Sequence, residues 1–348
     1  MTIRGPIVAV DLFCGAGGLT HGLLQGGVAV RAGFDVDPAC RFPFESNNSA
    51  VFVERDVRDL KAQDITSFFL GNEVTLLAGC APCQPFSTYS QAGRGKRRGD
   101  DWLLVSEFGR LIGEIEPDLV TMENVAQLAS HPVFDEFLGR LKDYAVSWSI
   151  VECSALGVPQ SRKRLVLLAS RLGSSDLDIR AAGSAVRTVR DTIADLPALV
   201  AGETHTDDRL HTACTLSPLN KRRIQASKPG GTWRDWDEDL RASCHLKESG
   251  STYPSVYGRM VWDDVSPTIT TQCFGFGNGR FGHPEQDRAI SLREAAMLQT
   301  FPRSYQFVSH DEAVRFNRLG RLIGNAVPVR VGEVIAETFK RHLEAVAA

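Results

Sequence analysis

The first half of the chain alternates short apolar runs with stretches of helical spacing. IVAVDLF (7–13), VAVRAGF (28–34), VFVER (51–55), VTLLAGC (74–80) and DLVTM (118–122) are nearly continuous in apolar residues, as strands covered on both faces require. Between and after them, Leu104, Phe108, Leu111, Ile112 and Ile115 recur at spacings of three and four, as do Val133, Phe134, Phe137, Leu138 and Leu141. That period predicts covering helices, so the fold class is α/β with a doubly wound parallel sheet. A last apolar face, Val331, Val334, Ile335, Phe339, His342 and Leu343, predicts a C-terminal helix returning to this first lobe.

Chemistry gathers where the apolar runs stop. The runs lead in turn to CGAGG, Asp35, Asp56, Cys83 and Glu123. Ligands of open α/β sheets bind in the crevice beyond the carboxyl ends of the strands, so one cleft can collect all five features. Gly15, Gly17 and Gly18, followed by Asp35 after the next run, fit a nucleoside-binding βαβ unit that admits either NAD or S-adenosylmethionine. Thr20 stands where a dinucleotide site wants a third glycine. Asp11, just before the loop, suits the cationic, phosphate-free methionine end better than a pyrophosphate, which favours S-adenosylmethionine.

Cys83 lies in GCAPCQPFS (79–87), between Pro82 and Pro85, on a proline-braced loop suited to presenting a nucleophile. Cys80 and Cys83 also form a CxxC, but no second such pair occurs among the other cysteines to complete a zinc site, and no metal is expected. QSRKRLVLLAS (160–170) reads as a strand whose alternation places Gln160, Arg162 and Arg164 on one face. Its paired guanidiniums suit phosphates or a carbonyl oxygen.

Composition narrows the class. The chain has 348 residues, 43% hydrophobic and 23% charged, with eight irregularly spaced cysteines, no basic-then-apolar leader and no long apolar run. An ordinary globular protein of a reducing, cytoplasmic compartment is expected, with no membrane partner. A net charge of −3 provides no global attraction to nucleic acid, leaving RGKRR (94–98) and KRR (221–223) as local basic clusters, each a solvated loop when read alone. From about 186 the composition shifts to Gly, Ser, Thr, Trp and Arg with little periodicity, which predicts an irregular second lobe. SLRE (291–294) predicts a capping box opening a helix there.

These motifs, in this order, resemble those of the DNA (cytosine-5) methyltransferases over almost the whole chain. DLFCGAGG (11–18) is similar to the cofactor loop, GCAPCQPFS to the nucleophile loop, ENV (123–125) to the acidic motif and QSRKR (160–164) to the twin-arginine motif. RFGHPEQDRAISLREAAMLQTFP (280–302) resembles the segment closing the target-recognition region, and GNAVP (324–328) the last cofactor motif. Two departures are visible. Val36 stands where the family often has a larger side chain against adenine, and the loop after Cys83 reads RRGDDWLL in place of a DPR-containing version.

The resemblance implies a Rossmann-like methyltransferase domain (1–185 plus 305–348) and a smaller irregular target-recognition domain (186–304). It implies methyl transfer from S-adenosyl-L-methionine to C5 of a cytosine flipped out of double-stranded DNA. The enzyme would be a monomer on DNA, of the restriction-modification type, functionally paired with an endonuclease. Catalysis would fall to Cys83, Glu123, Arg162 and Arg164. Phe13, Gly15, Gly17, Gly18, Asp35, Val36, Asp56, Val57, Pro82, Leu104, Asn325 and Val327 would bind the cofactor. Gln84, Ser87, Arg94, Lys96, Arg97, Arg98, Arg234, Arg259 and Thr271 would contact DNA. KPGGTWRDW (228–236), TYPSVYGRM (252–260) and SPTITT (266–271) are the contact stretches expected, although packing in a small core is the plainer role for their aromatic rings. The alternatives are a transfer-RNA methyltransferase of the same family, disfavoured because QCF (272–274) replaces CFT, and a catalytically silent DNA-binding regulator.

Overall fold

Strands with no exposed face must sit inside a sheet, and the apolar runs do so except VFVER, which forms an edge strand. The structure, a computed structural model, describes residues 5–82, 101–180, 185–247, 250, 254 and 256–348. β1 (Ile7–Leu12), β2 (Ala29–Asp35), β3 (Val51–Glu54), β4 (Val74–Gly79) and β5 (Leu119–Val125) pair in parallel. β6 (Ala145–Glu152) and β7 (Lys163–Ser170) complete a seven-stranded sheet of order β3-β2-β1-β4-β5-β7-β6. β7 runs antiparallel to both β5 and β6. The order reverses direction between β1 and β4, the switch point at which open sheets leave a crevice.

The expected helices cover this sheet. α1 (Gly18–Gln25), α2 (Arg41–Asn47) and α3 (Ala62–Thr66) connect the first four strands; α4 (Asp101–Ile115) and α5 (Pro132–Arg140) flank β5. Phe108 of α4 and Phe137 of α5 meet at 5.4 Å inside a core shared with Val10, Leu12, Leu77 and Met122. β6 carries no clear apolar run. It is an edge strand with Val146, Trp148 and Ile150 exposed, and its one aromatic anchor is the edge-on contact of Trp148 with Phe134 at 5.1 Å.

The chain divides into two compact units, one of Met1–Leu156, Lys163–Ser184 and Val327–Ala348, the other of Gly157–Arg162 and Ala185–Ala326. The second unit thus includes Gly157–Arg162 and reaches beyond 304, the boundary expected from sequence. It contains α6 (Val189–Ile193), α7 (Pro218–Gln225), α8 (Leu292–Leu298) and α9 (Phe316–Asn325), with short 3-10 turns and isolated bridges among its described residues. Its small core holds Trp233, Trp236, Ile224 and Phe276 with Tyr257 against them. The KRR cluster is not a solvated loop. It lies in α7, where Arg222 pairs with Asp239 and Arg223 is buried over the Trp236 and Tyr257 rings. The capping box at Ser291 forms, and the Glu294 carboxylate takes two 2.7 Å bonds from the buried Arg288.

In the first unit α10 (Val329–Ala347) packs on α1 at a backbone-to-backbone approach that only small residues permit. A Cβ on Gly22 would lie 2.1 Å from the Val329 carbonyl oxygen, and one on Gly26 would lie 2.4 Å from the Ala336 Cβ. Among the described residues, no helix is long and apolar enough to cross a membrane. Gly22→Ala is expected to push these helices apart and destabilise the protein by about 1–3 kcal/mol. Urea unfolding measures it, and an unchanged midpoint would contradict the close approach.

Candidate active site

The glycine loop follows β1 directly. Phe13, Gly15 and Gly17 take φ values of 57°, 53° and 88°, so the chain turns through left-handed conformations before Gly17 caps α1. Phe13 adopts that conformation with a full side chain, a strain typical of functional sites. Asp35 fixes the loop from the end of β2: its Oδ2 accepts from the Gly15 N–H at 2.9 Å and its Oδ1 from the Asp37 N–H at 2.9 Å. Gly18 is buried in the first turn of α1.

Beneath the loop lies Asp11, almost wholly buried. Its Oδ2 accepts the Thr20 hydroxyl at 2.7 Å, and its Oδ1 is buried with no hydrogen-bond partner. Thr20, read from sequence only as a missing glycine, is therefore a hydrogen-bond donor. Burial pushes the Asp11 carboxyl up to about 7 against the pull of Thr20, and the nearby Asp35 charge adds to the rise. Burial also raises Asp35.

The other expected cofactor residues lie on several elements. Val36 is exposed immediately after Asp35. Asp56 caps a 3-10 turn beyond β3, and the Arg58 side chain that it accepts from at 3.0 Å holds its carboxyl below the usual range. Val57 is buried, Leu104 half-buried on α4, and Pro82 exposed past β4. Val327 is buried in the first unit; Asn325 is an exposed residue at the end of α9 in the second.

Glu123 sits near the end of β5 and is 2% exposed. Because β7 runs antiparallel to β5, it begins where β5 ends: Arg164 is paired with Val125, two residues from the acid. Arg164 Nε lies 3.0 Å from Glu123 Oε1, an ion pair without hydrogen-bond alignment. On the other oxygen, the Cys80 thiol donates to Oε2 at 3.0 Å. Asn124, the next residue, donates to the Ala81 carbonyl at 3.2 Å and so ties the exit of β4 to β5. Neither Cys80 nor Asn124 was singled out from sequence for these contacts, although both lie inside motifs already recognised.

Two expectations need correction. β7 begins at Lys163, so Gln160, Arg162 and Arg164 do not share a strand face. Gln160 and Arg162 instead belong to the second unit, where the fully buried Gln160 carboxamide bonds the Leu298 carbonyl, Gln299 and the Ile269 N–H. Arg162, also buried, donates to the Ile269 carbonyl at 3.1 Å. Arg259 is no base reader either. It is 5% exposed and its guanidinium serves the carbonyls of Ile224, Ser227, His283 and Gln286 together with Asp287. Arg234 is exposed beside the Trp233 ring, and Thr271 is half-buried. Cys83, Gln84, Ser87, Arg94, Lys96, Arg97 and Arg98 lie outside the described residues.

The parallel sheet with an antiparallel β7, the glycine loop and the acids at the strand ends define the S-adenosylmethionine-dependent methyltransferase fold. Within that class the chain belongs to the C-5 cytosine-specific DNA methylase family, whose profile it matches over residues 7–341. It is similar to the Type II methylase M.HgiDII of Herpetosiphon aurantiacus, with 51% identity over 96% of this chain and 95% of that protein. It also resembles the Type II methyltransferase M.Eco47II of Escherichia coli, at 30% identity over 96% of this chain and 79% of the other. Among solved structures, a prophage-encoded DNA modification methyltransferase from Escherichia coli shares the fold, with a TM-score of 0.73 at 22% identity, covering 97% of this chain and 99% of that one.

Two outcomes follow. Arg259→Ala should destabilise the second unit by about 1–3 kcal/mol, because it leaves buried carbonyls without their donor; a variant of native thermal stability would restore Arg259 as a free side chain. For Asp11 the folded value near 7 exceeds the unfolded 3.8, so the folded chain binds the extra proton between them. The stabilisation is complete below about pH 4 and is lost as pH rises through about 7, at up to about 1.4 kcal/mol per pH unit. Asp11→Asn should remove that slope in the ligand-free protein, as seen by urea unfolding across this range; parallel pH profiles for both proteins would refute it.

Proposed function

We propose that this chain transfers the methyl group of S-adenosylmethionine to C5 of a cytosine flipped out of a specific double-stranded DNA sequence, as the modification enzyme of a Type II restriction-modification system. The carrying observation is the buried Glu123 carboxyl held by Arg164 at the sheet end that also presents the glycine loop. The similarity to Type II methylases over nearly the full length supports the restriction-modification setting and favours neither a transfer-RNA enzyme nor a silent regulator.

The residues at the glycine loop suit the cofactor. The partnerless Oδ1 of Asp11 and the raised Asp11 and Asp35 carboxyls are offset by a cation, and no phosphate need be accommodated beside them. Phe13, Gly15, Gly17 and Gly18 would hold the methionine part and Asp35 the ribose. Val36, Asp56 and Val57 would flank the adenine, with Pro82, Leu104, Asn325 and Val327 completing the contacts. S-adenosylmethionine supplies an electrophilic methyl group.

Cytosine C5 is too electron-poor to take a methyl unaided. Cys83 adds to C6, which turns C5 into an enamine-like carbon. Glu123, protonated or sharing a proton, donates to N3 and accepts from the exocyclic amine, stabilising the charge that the addition places on the ring. Arg164 binds the O2 carbonyl while keeping the acid in position. Arg162, fixed to the Ile269 carbonyl, supports the nucleophile loop and phosphate contacts. After methyl transfer, water removes the C5 proton and Cys83 leaves, restoring the ring. Flipping the base costs a few kcal/mol, repaid by contacts in the pocket. Gln84, Ser87 and the RGKRR cluster contact DNA, and the irregular second unit reads the sequence through groups such as the exposed Arg234 and the half-buried Thr271.

Cys83→Ser should abolish methylation while S-adenosylmethionine binding survives, since only the addition to C6 is lost. Duplex DNA carrying 5-fluorocytosine at the target should yield a denaturation-resistant complex, because fluorine cannot leave as a proton. Mass spectrometry that found no Cys83-linked peptide, or a fully active serine variant, would exclude the covalent route.

A further inference from the structure

Glu123 has two carboxylate oxygens and each has a different keeper. Arg164 reaches Oε1 from the start of β7, and the Cys80 thiol reaches Oε2 from the end of β4. Both distances are 3.0 Å, and the acid is all but excluded from solvent. A carboxylate held at one oxygen can still swing about its last torsion, whose wells are broad. The thiol adds a directional bond at the second oxygen to the ion pair at the first, and so restricts that swing.

The backbone around Cys80 makes this hold firm. Its N–H donates to the Leu12 carbonyl at 3.3 Å, continuing the β1–β4 ladder one residue past the strand, and the following carbonyl, of Ala81, is tied to Asn124. The thiol is thus carried on fixed backbone at the β1/β4 switch point, opposite the acid. An S–H is a weak donor. It can orient Oε2 in the free enzyme and give way when a ring amine or N–H needs the same oxygen.

We propose that Cys80 is a positioning residue for Glu123, its thiol setting the orientation of the carboxyl that meets the cytosine ring. The role rests on the assignment of Glu123 as the acid of the reaction. It separates Cys80 from a redox or metal-binding use of the CxxC pair.

A double-mutant cycle tests it on the full-length protein with single-turnover methylation of duplex DNA. Cys80→Ala is expected to lower the methylation rate about tenfold, the worth of one hydrogen bond to a charged group, with the dissociation constant for S-adenosylmethionine unchanged. Cys80→Ser, which keeps a donor, should recover the rate to within about threefold of the native enzyme. In a Glu123→Gln background the same Cys80→Ala change should cost less than about twofold, because Cys80 acts through the acid that is already gone. If Cys80→Ala were harmless, or cost as much beside Glu123→Gln as alone, the inference would fail while the acid assignment stood. Full activity of Glu123→Gln by itself would overturn the assignment and the inference together.

Discussion

The pairing of β4 on one edge of β1 and β2 on the other is the constraint from which the site follows. Parallel strands place all their carboxyl ends on one side of the sheet, and the reversal of order between β1 and β4 keeps the connections that leave those ends from covering one another. Asp11, the glycine loop, Asp35, Asp56, Cys80 and Glu123 are brought to one rim for that reason alone. Their separation along the chain is then immaterial.

Against this parallel order, the single reversed strand has a specific consequence. An arginine at the start of a parallel β7 would lie at the far rim. With β7 antiparallel, its first residues are delivered beside the last residues of β5, and Arg164 meets Glu123. A buried carboxyl is costly unless it is paired, and the strand direction provides the partner. Asp11 shows the opposite case. Its Oδ2 accepts from Thr20, its Oδ1 has no hydrogen-bond partner, and burial raises its pKa. Among the described residues the same sheet rim thus holds a buried acid paired with an arginine and a buried acid that is not.

Arginine illustrates how far residue type is from role. Arg164 faces the buried Glu123 carboxyl, Arg223 lies over aromatic rings, Arg259 gathers backbone carbonyls and Arg234 stands exposed. The guanidinium's five donors in a rigid fork suit all these uses. In a lobe with little regular secondary structure, carbonyls are left without ladder partners, and buried arginines such as Arg259 take their place.

The chain alone determined the parallel strands, the flanking helices, the C-terminal helix and the chemistry at the strand ends. Their signals are local: apolar runs, spacings of three and four, glycines before a helix, acids after the runs. β6 escaped because an edge strand with one exposed face leaves no continuous apolar run. Only the tertiary structure decided that Gln160 and Arg162 belong to the second unit while Arg164 lies in a strand, since an alternating pattern does not mark where hydrogen-bonded pairing begins. It alone turned Arg259 inward, gave Thr20 to Asp11 and set Cys80 against Glu123. Each of those depends on which backbone lies opposite in space, and the order of residues along the chain carries no record of that distance.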